Sequence, residues 1–254
     1  MSEEVLVEHA DGVTLITLNR PRARNAVNRA VSMGVGAALE EFDARPDLAV
    51  AVITGAGGTF CSGMDLKAFI AGENVIHPER GLAGITSRPP RKPIIAAVEG
   101  HALAGGCEIV LACDLVVAAE NAKFGLPEVK RGLVAGAGGL LRLPGRLPYA
   151  VAMRLALTGD LLTAEEAERH GLVVELTPPG EALAAARALA ARIAANAPLA
   201  LAATKEIIVS APDWTSATAF ARQQEIIEPI LYSEDAREGA TAFAEKRPPV
   251  WRGR

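Results

Sequence analysis

The sequence predicts an α/β protein in which a β/α core is followed by an all-helical C-terminal region. Three observations carry this. Short β-branched runs alternate with windows of helical period in the first half, and past Gly145 the strand signal nearly vanishes. Thirteen of the 22 residues from Ala182 to Ala203 are alanine, the residue that costs least in a helix. The 254 residues make one domain, or one large domain with a smaller appendage, because domains commonly run to about 100 to 200 residues. Half of the residues are hydrophobic and only 22% are charged, so the chain can bury a sizeable core.

Each element has a local cause. Val5 to His9 and Val13 to Asn19 read as strands turned at Asp11-Gly12, a favoured hairpin dipeptide. Asn28 is placed to cap a helix in which Val31, Val35, Leu39 and Phe42 share one face before Pro46 stops the pattern. Leu48 to Thr54, Ile94 to Val98 and Leu115 to Ala119 are apolar, β-branched runs expected to be buried strands. Thr163 and Glu166 form a capping box for a helix closed by Gly171, Pro198 divides the alanine run, and two more helical windows follow Thr215.

Composition excludes several classes of function. Twenty-six Lys plus Arg against 30 Asp plus Glu give a net charge of −4, which argues against a nucleic-acid partner. The longest stretch free of charged residues, Leu48 to Met64, is broken by four glycines and two threonines, so no membrane span is expected. Met1 to Glu8 carries three acids and no basic region, unlike an export or transit signal. Cys61, Cys107 and Cys113 lie in apolar runs without C-x-x-C spacing, which fits a reducing, cytoplasmic compartment.

Common site motifs fail. Gly58 to Gly63 has P-loop spacing, but Met64 and Asp65 stand where Lys and Ser/Thr would hold phosphate and magnesium. Gly136-Ala-Gly138-Gly139 lacks the third dinucleotide glycine and does not follow a strand. Ser62 is preceded two residues back by Phe60, so the nucleophile elbow is absent. His9, His77, His101 and His170 show no metal-ligand spacing, and no metal is implied.

Two segments remain, Thr59 to Leu66 and Gly100 to Glu108, where glycines sit at a strand-to-helix handover. The first amides of a helix have no intrahelical partner and carry the positive end of its dipole, so such junctions can hold a developing oxyanion. By themselves these glycines serve equally as sites of tight turning and close packing. Glu108 stands in an otherwise apolar window, either as a structural charge answering its own helix N-terminus or as an acid/base group with a tuned pKa. Glu128, in Phe124-Gly-Leu-Pro-Glu128, is by itself equally a helix-start charge, and a separation of twenty residues does not show that the two carboxylates meet.

The chain resembles the crotonase superfamily of acyl-CoA enzymes, the enoyl-CoA hydratase/isomerases, over essentially its whole length. The matching segments are Asn19-Arg20-Pro21 with Asn25-Ala26, Phe60 to Leu66, Lys92 to Gly100, Ala104 to Glu108, Cys113-Asp114, Phe124 to Glu128 and Gly136 to Gly139. Leu157 to Asp160, Ala164 to Gly171 and Phe243 to Arg247 follow in the same order. The resemblance implies ββα units wound into a spiral over residues 1–195, with residues 196–254 as a helical region that assembles a trimer or a dimer of trimers.

It also implies that the backbone amides of Met64 and Gly105 bind the thioester oxygen and that Glu108 and Glu128 are the acid/base pair. Coenzyme A would run along Ser62, Asp65, Leu66 and Lys67, with Arg22 and Arg24 near its phosphates and Phe243 and Lys246 approaching from a neighbouring subunit. The coenzyme enters as part of the substrate, so no separate cofactor is expected. Retention of both glutamates favours reversible water addition to a 2-enoyl-CoA, as in fatty-acid β-oxidation. The tail from Glu245 to Arg254 and Phe124 to Glu128 look like the carnitinyl-CoA dehydratase branch, the runner-up. A catalytically silent acyl-CoA binding protein is the reading from another class. Residues 68–91 fall where the family carries a variable, mobile loop over the acyl pocket.

Overall fold

The computed structural model describes residues 3–254. β1 (Val5–Ala10) and β2 (Val13–Leu18) form the expected antiparallel hairpin with Ala10 opposite Val13. Asp11 and Gly12 both take positive φ, 51° and 77°, which a type I′ turn requires and an Asp-Gly pair accommodates. α1 (Arg29–Ala44) begins where Asn28 Oδ1 accepts from the Val31 amide at 3.0 Å, and it buries Val31, Val35, Leu39 and Phe42 as their spacing predicts.

β3 (Val50–Gly55), β6 (Ile94–Val98) and β8 (Leu115–Ala119) are the buried strands that the apolar runs predict, and in the structure they add to β2 in parallel. Each long strand hands over to a short one in a second sheet and then to a helix. β6 leads to β7 (His101–Leu103) and α3 (Gly105–Ala112), while β8 leads to β9 (Lys123–Gly125), a 3-10 turn at Pro127–Arg131 and α4 (Gly139–Arg146). The two earlier windings replace the short strand by single parallel bridges, Val27 to Met64 and Cys61 to Ala102, beside α1 and α2 (Leu66–Ile70). These repeats are the ββα spiral that the resemblance implies.

The alanine run is explained by packing. α7 (Ala182–Ala194) lays Ala186 and Ala190 on the sheet face formed by Leu15, Val50, Val52, Ile95, Ala97 and Val117, and methyl side chains let the helix close onto the strands. Two strands lie in the half read as helical, β10 (Leu162–Thr163) and β11 (Glu175–Thr177). With two and three residues they are too short for alternation to register; β11 is a strand because β8 supplies its ladder, and it becomes the sixth strand of the main sheet. α5 (Tyr149–Thr158) and α6 (Ala164–Arg169) flank β10, and α6 carries the expected capping box.

The segment 68–91 differs from the expected mobile loop. Its β4 (Ile76–His77) and β5 (Gly81–Leu82) pair, and Val75, Leu82, Ala83 and Ile85 join the core. Ser32 holds it down, donating to Val75 O and accepting from the Ala83 amide. Only the stretch from Leu66 to Asn74 is largely open, with Phe69 and Ile70 exposed.

α8 (Pro198–Ser210) leaves α7 at 106°, and α9 (Ala219–Leu231) and α10 (Glu234–Glu245) follow. Lys205 on α8 ties this region to the core through Asp114 at 2.7 Å and Lys92 O at 3.0 Å. The tail folds back over α10. Buried Asp235 accepts from the amides of Arg252 and Gly253, and Trp251 Nε1 donates to Ala195 O at the end of α7. No single helix among the described residues is long and apolar enough to cross a membrane.

Asn25 is a keystone between windings. Fully buried at φ 55°, it accepts from the Arg20 amide and donates to Ala56 O and Thr59 O at 2.9 and 2.7 Å. Asn25→Ala leaves three part-buried backbone groups without their partner and loses a residue that tolerates positive φ. The expected loss is about 3 kcal/mol of stability, read as a lowered denaturation midpoint in urea.

Candidate active site

The site grows from a close approach of two backbones. Gly105 and Gly106 open α3 against the segment Cys61 to Met64: a Cβ at Gly106 would run into Cys61 O, and one at Gly105 would stand 3.4 Å from Met64 N and 2.5 Å from Leu82 Cδ2. Ala104, the residue before α3, is held at φ 52°, ψ −125°, a conformation that strains any residue with a Cβ by about 1–3 kcal/mol. Its amide is fixed by Gly125 O at 2.9 Å and its carbonyl by the Glu108 amide at 3.0 Å.

The result is two neighbouring free donors. In the bridge of Val27 to Met64, the bonds run from Val27 N to Gly63 O and from Asp65 N to Val27 O, so the Met64 amide points away from Val27. Gly105 is the first residue of its helix and has no intrahelical acceptor. Among the described residues, neither amide donates to a protein acceptor.

Glu108 is 2% exposed, yet its carboxylate is not held by its own helix. Oε1 accepts from the amides of Ala137 and Gly139 at 2.7 and 3.0 Å, the entry to α4. Correcting the expectation of an α3 dipole partner, the stabilising N-terminus is that of α4, because the glycines of Gly136 to Gly139 bring it across α3. Burial pushes the Glu108 pKa up; the two amides and the charge of Arg142 oppose this without cancelling it.

Glu128, half-buried in the 3-10 turn, lies near enough to Glu108 to feel its charge. Burial raises its pKa and the neighbouring charge of Glu108 raises it further. Its Oε2 is buried without a hydrogen-bond partner. The pair is asymmetric: one carboxylate is gripped by two amides, the other has a buried oxygen free. Behind them the Cys107 thiol, with Cys61 and Cys113 elsewhere in the core, is buried and pushed up to about 12, hence neutral and unreactive. No group of three or more His, Cys, Asp or Glu among the described residues could hold a metal ion.

A sequence profile of the enoyl-CoA hydratase/isomerase family matches residues 8–254. The chain belongs to that family. It is 43% identical over 262 aligned positions to a carnitinyl-CoA dehydratase of Salmonella typhi, covering the whole of both chains. An enoyl-CoA hydratase of Mycobacterium marinum, 60% identical and covered end to end, superposes with a TM-score of 0.98. A carnitinyl-CoA hydratase of Mycobacterium avium is 49% identical over the full length of both chains, with a TM-score of 0.80.

The residues that the family resemblance assigned to coenzyme A fall into two groups. Arg22 and Arg24 are exposed and border the segment Ser62 to Lys67, where the Ser62 amide donates to Arg24 O at 3.0 Å; Leu66 and Lys67 are exposed beside them. Asp65 is committed elsewhere, capping α2 through the Lys67 and Ala68 amides and pairing with Arg20 at 2.9 Å. Phe243 and Lys246 form the other group, both exposed at the end of α10. The tail's hydrogen bonds lead to α10 and α7, and none joins it to Ser62–Lys67. Sequence reasoning assigned no role to the amides of Ala137 and Gly139, to Leu82 or to Arg142; the Gly136 to Gly139 run was the available signal.

Gly105→Ala tests the pair of amides. Its methyl group must displace Leu82 and crowd the approach to Met64 N, so turnover of an enoyl-CoA is expected to fall about 100-fold in steady-state assays, with the circular dichroism spectrum retained.

Proposed function

We propose that this chain is an enoyl-CoA hydratase that adds water reversibly across the 2,3 double bond of a 2-enoyl-CoA. One set of features supports the reading: Glu108, held by two amides, lies on the helix whose first amide, that of Gly105, is unpaired, and its charge raises the pKa of Glu128, which has a buried oxygen without a partner. The thioester oxygen lies between the Met64 and Gly105 amides, and one water lies between the glutamates. Glu108, kept anionic by the Ala137 and Gly139 amides, takes a proton from that water as its oxygen adds to C3. Electrons move onto the thioester oxygen, where the two amides stabilise the enolate. Glu128 enters protonated, which its burial and the charge of Glu108 favour, and its Oε2 delivers the proton to C2. Proton exchange between the glutamates restores the starting state.

Coenzyme A lies along Ser62 to Lys67 with Arg22 and Arg24 at its phosphates, while Asp65 supports the segment through Arg20. Exposed apolar side chains on α4, α8 and α9, among them Leu141, Ile208 and Phe220, support self-association as a trimer or dimer of trimers, through which a neighbour's Phe243 and Lys246 reach the coenzyme. A monomer mass in light scattering at micromolar concentration would count against this. The second reading is the carnitinyl-CoA dehydratase-like one, favoured by the Salmonella typhi and Mycobacterium avium relatives. Crotonyl-CoA and a crotonobetainyl thioester separate the two: loss of enone absorbance with the first supports the main reading, and turnover of the second alone overturns it.

Glu108→Gln and Glu128→Gln are each expected to lower kcat by about 10² to 10⁴ with acyl-CoA affinity nearly unchanged. Full activity in either variant removes that residue from the mechanism. The raised pKa of Glu128 also has a stability consequence. A carboxyl whose folded pKa exceeds its unfolded value contributes stability that is fully present below the unfolded pKa and lost as pH rises through the folded one. Glu128→Gln, which cannot ionise, should therefore melt higher than the wild type above that window and show no such advantage in acid.

A further inference from the structure

Arg142 lies on α4 one turn beyond the amides that hold Glu108; its own amide donates to Gly138 O at 3.1 Å. The guanidinium folds back over that first turn, so that a Cβ on Gly138 would collide with Nη1, and Nη2 donates to Thr86 O at 2.7 Å. A cation over a helix N-terminus opposes the helix dipole, and burial works against its charge as well. Thr86 closes the segment from Gly81 that carries Leu82, and Leu82 rests against Gly105.

We propose that Arg142 is a positioning residue of the reaction, tying the Leu82–Thr86 wall beside the Gly105 amide to the α4 entry that grips Glu108. One side chain thereby sets the spacing between the oxyanion donors and the base, and places a fixed positive charge behind that base. The inference rests on the hydratase reading above and extends it to a residue that does not touch the substrate.

Other groups bearing on Glu108 are few. Glu128, in the 3-10 turn near Arg131, lies within reach of its charge, Cys107 precedes it on α3 as a neutral thiol, and His101 on β7 is exposed. Arg142 is the cation that lowers the Glu108 pKa against burial, so removing its charge moves the acid limb of the kcat–pH profile upward, a limb that belongs to the glutamate pair.

The test compares wild type, Arg142→Lys and Arg142→Gln on crotonyl-CoA and on a crotonobetainyl thioester, with kcat, KM and pH profiles measured for each. Arg142→Gln should lose about tenfold or more in kcat, with KM within about threefold and the acid limb shifted upward. Arg142→Lys, which keeps a cation, should recover part of kcat and leave the limb at its wild-type position. A Gln variant with wild-type kcat and limb, or with a change in KM alone, overturns the proposal. So does failure of both variants to give folded protein by circular dichroism, which would make Arg142 a residue of the fold. A wild type inactive on both thioesters overturns the hydratase reading and this proposal with it; an active wild type with indifferent variants overturns this proposal alone.

Discussion

The close approach of the Gly105–Gly106 backbone to the segment Cys61 to Met64 is the contact on which the rest of the site depends. At Gly106 only hydrogen lets α3 begin so near the Cys61 carbonyl, while at Gly105 a Cβ would press on Leu82, and this proximity sets the Met64 and Gly105 amides near each other. The strain at Ala104 follows from the same demand, since the chain must turn sharply out of β7 to present its next amide. The surrounding hydrogen bonds, from Gly125 O and the Glu108 amide, over-determine that turn and keep a disfavoured conformation in place.

From that contact the site extends in two directions. Through α3 it reaches Glu108, three residues on, which faces the entry of α4 rather than solvent. Through the Gly81–Thr86 segment it reaches Arg142, so the wall of the donor pair and the cradle of the carboxylate are mechanically joined. Burying two acidic groups together opposes stability at neutral pH, as the upward pKa shifts of both indicate. A fold selected for stability alone would place apolar side chains there. The spiral tolerates the arrangement because its windings hydrogen-bond to one another at many points, of which Asn25 alone supplies two.

The C-terminal helices stand in a different relation to the core. Polar contacts through Lys205 and Trp251 attach them to it, while large apolar side chains such as Phe220 and Ile208 remain uncovered in the single chain. Surface of that kind is suited to contact with further protein, and Phe243 and Lys246 project from the same region.

The sequence by itself determined what depends on neighbours along the chain. The Asp11-Gly12 turn, the Asn28 cap, the Val31 to Phe42 face, the three buried strands and the Thr163–Glu166 box all follow from residues within a few positions of each other. The family resemblance was likewise legible, because short motifs in fixed order survive without knowledge of their contacts. The tertiary structure decided everything that needs two distant segments at once. β11 is a strand only because β8 lies beside it, and Val75, Leu82, Ala83 and Ile85 are core only because Ser32 and α1 receive their segment. Whether Glu108 answers its own helix or another, and whether Glu128 meets it, depends on how successive windings stack. Spacing along a chain carries no information about that, whereas close-packed contact between windings fixes it.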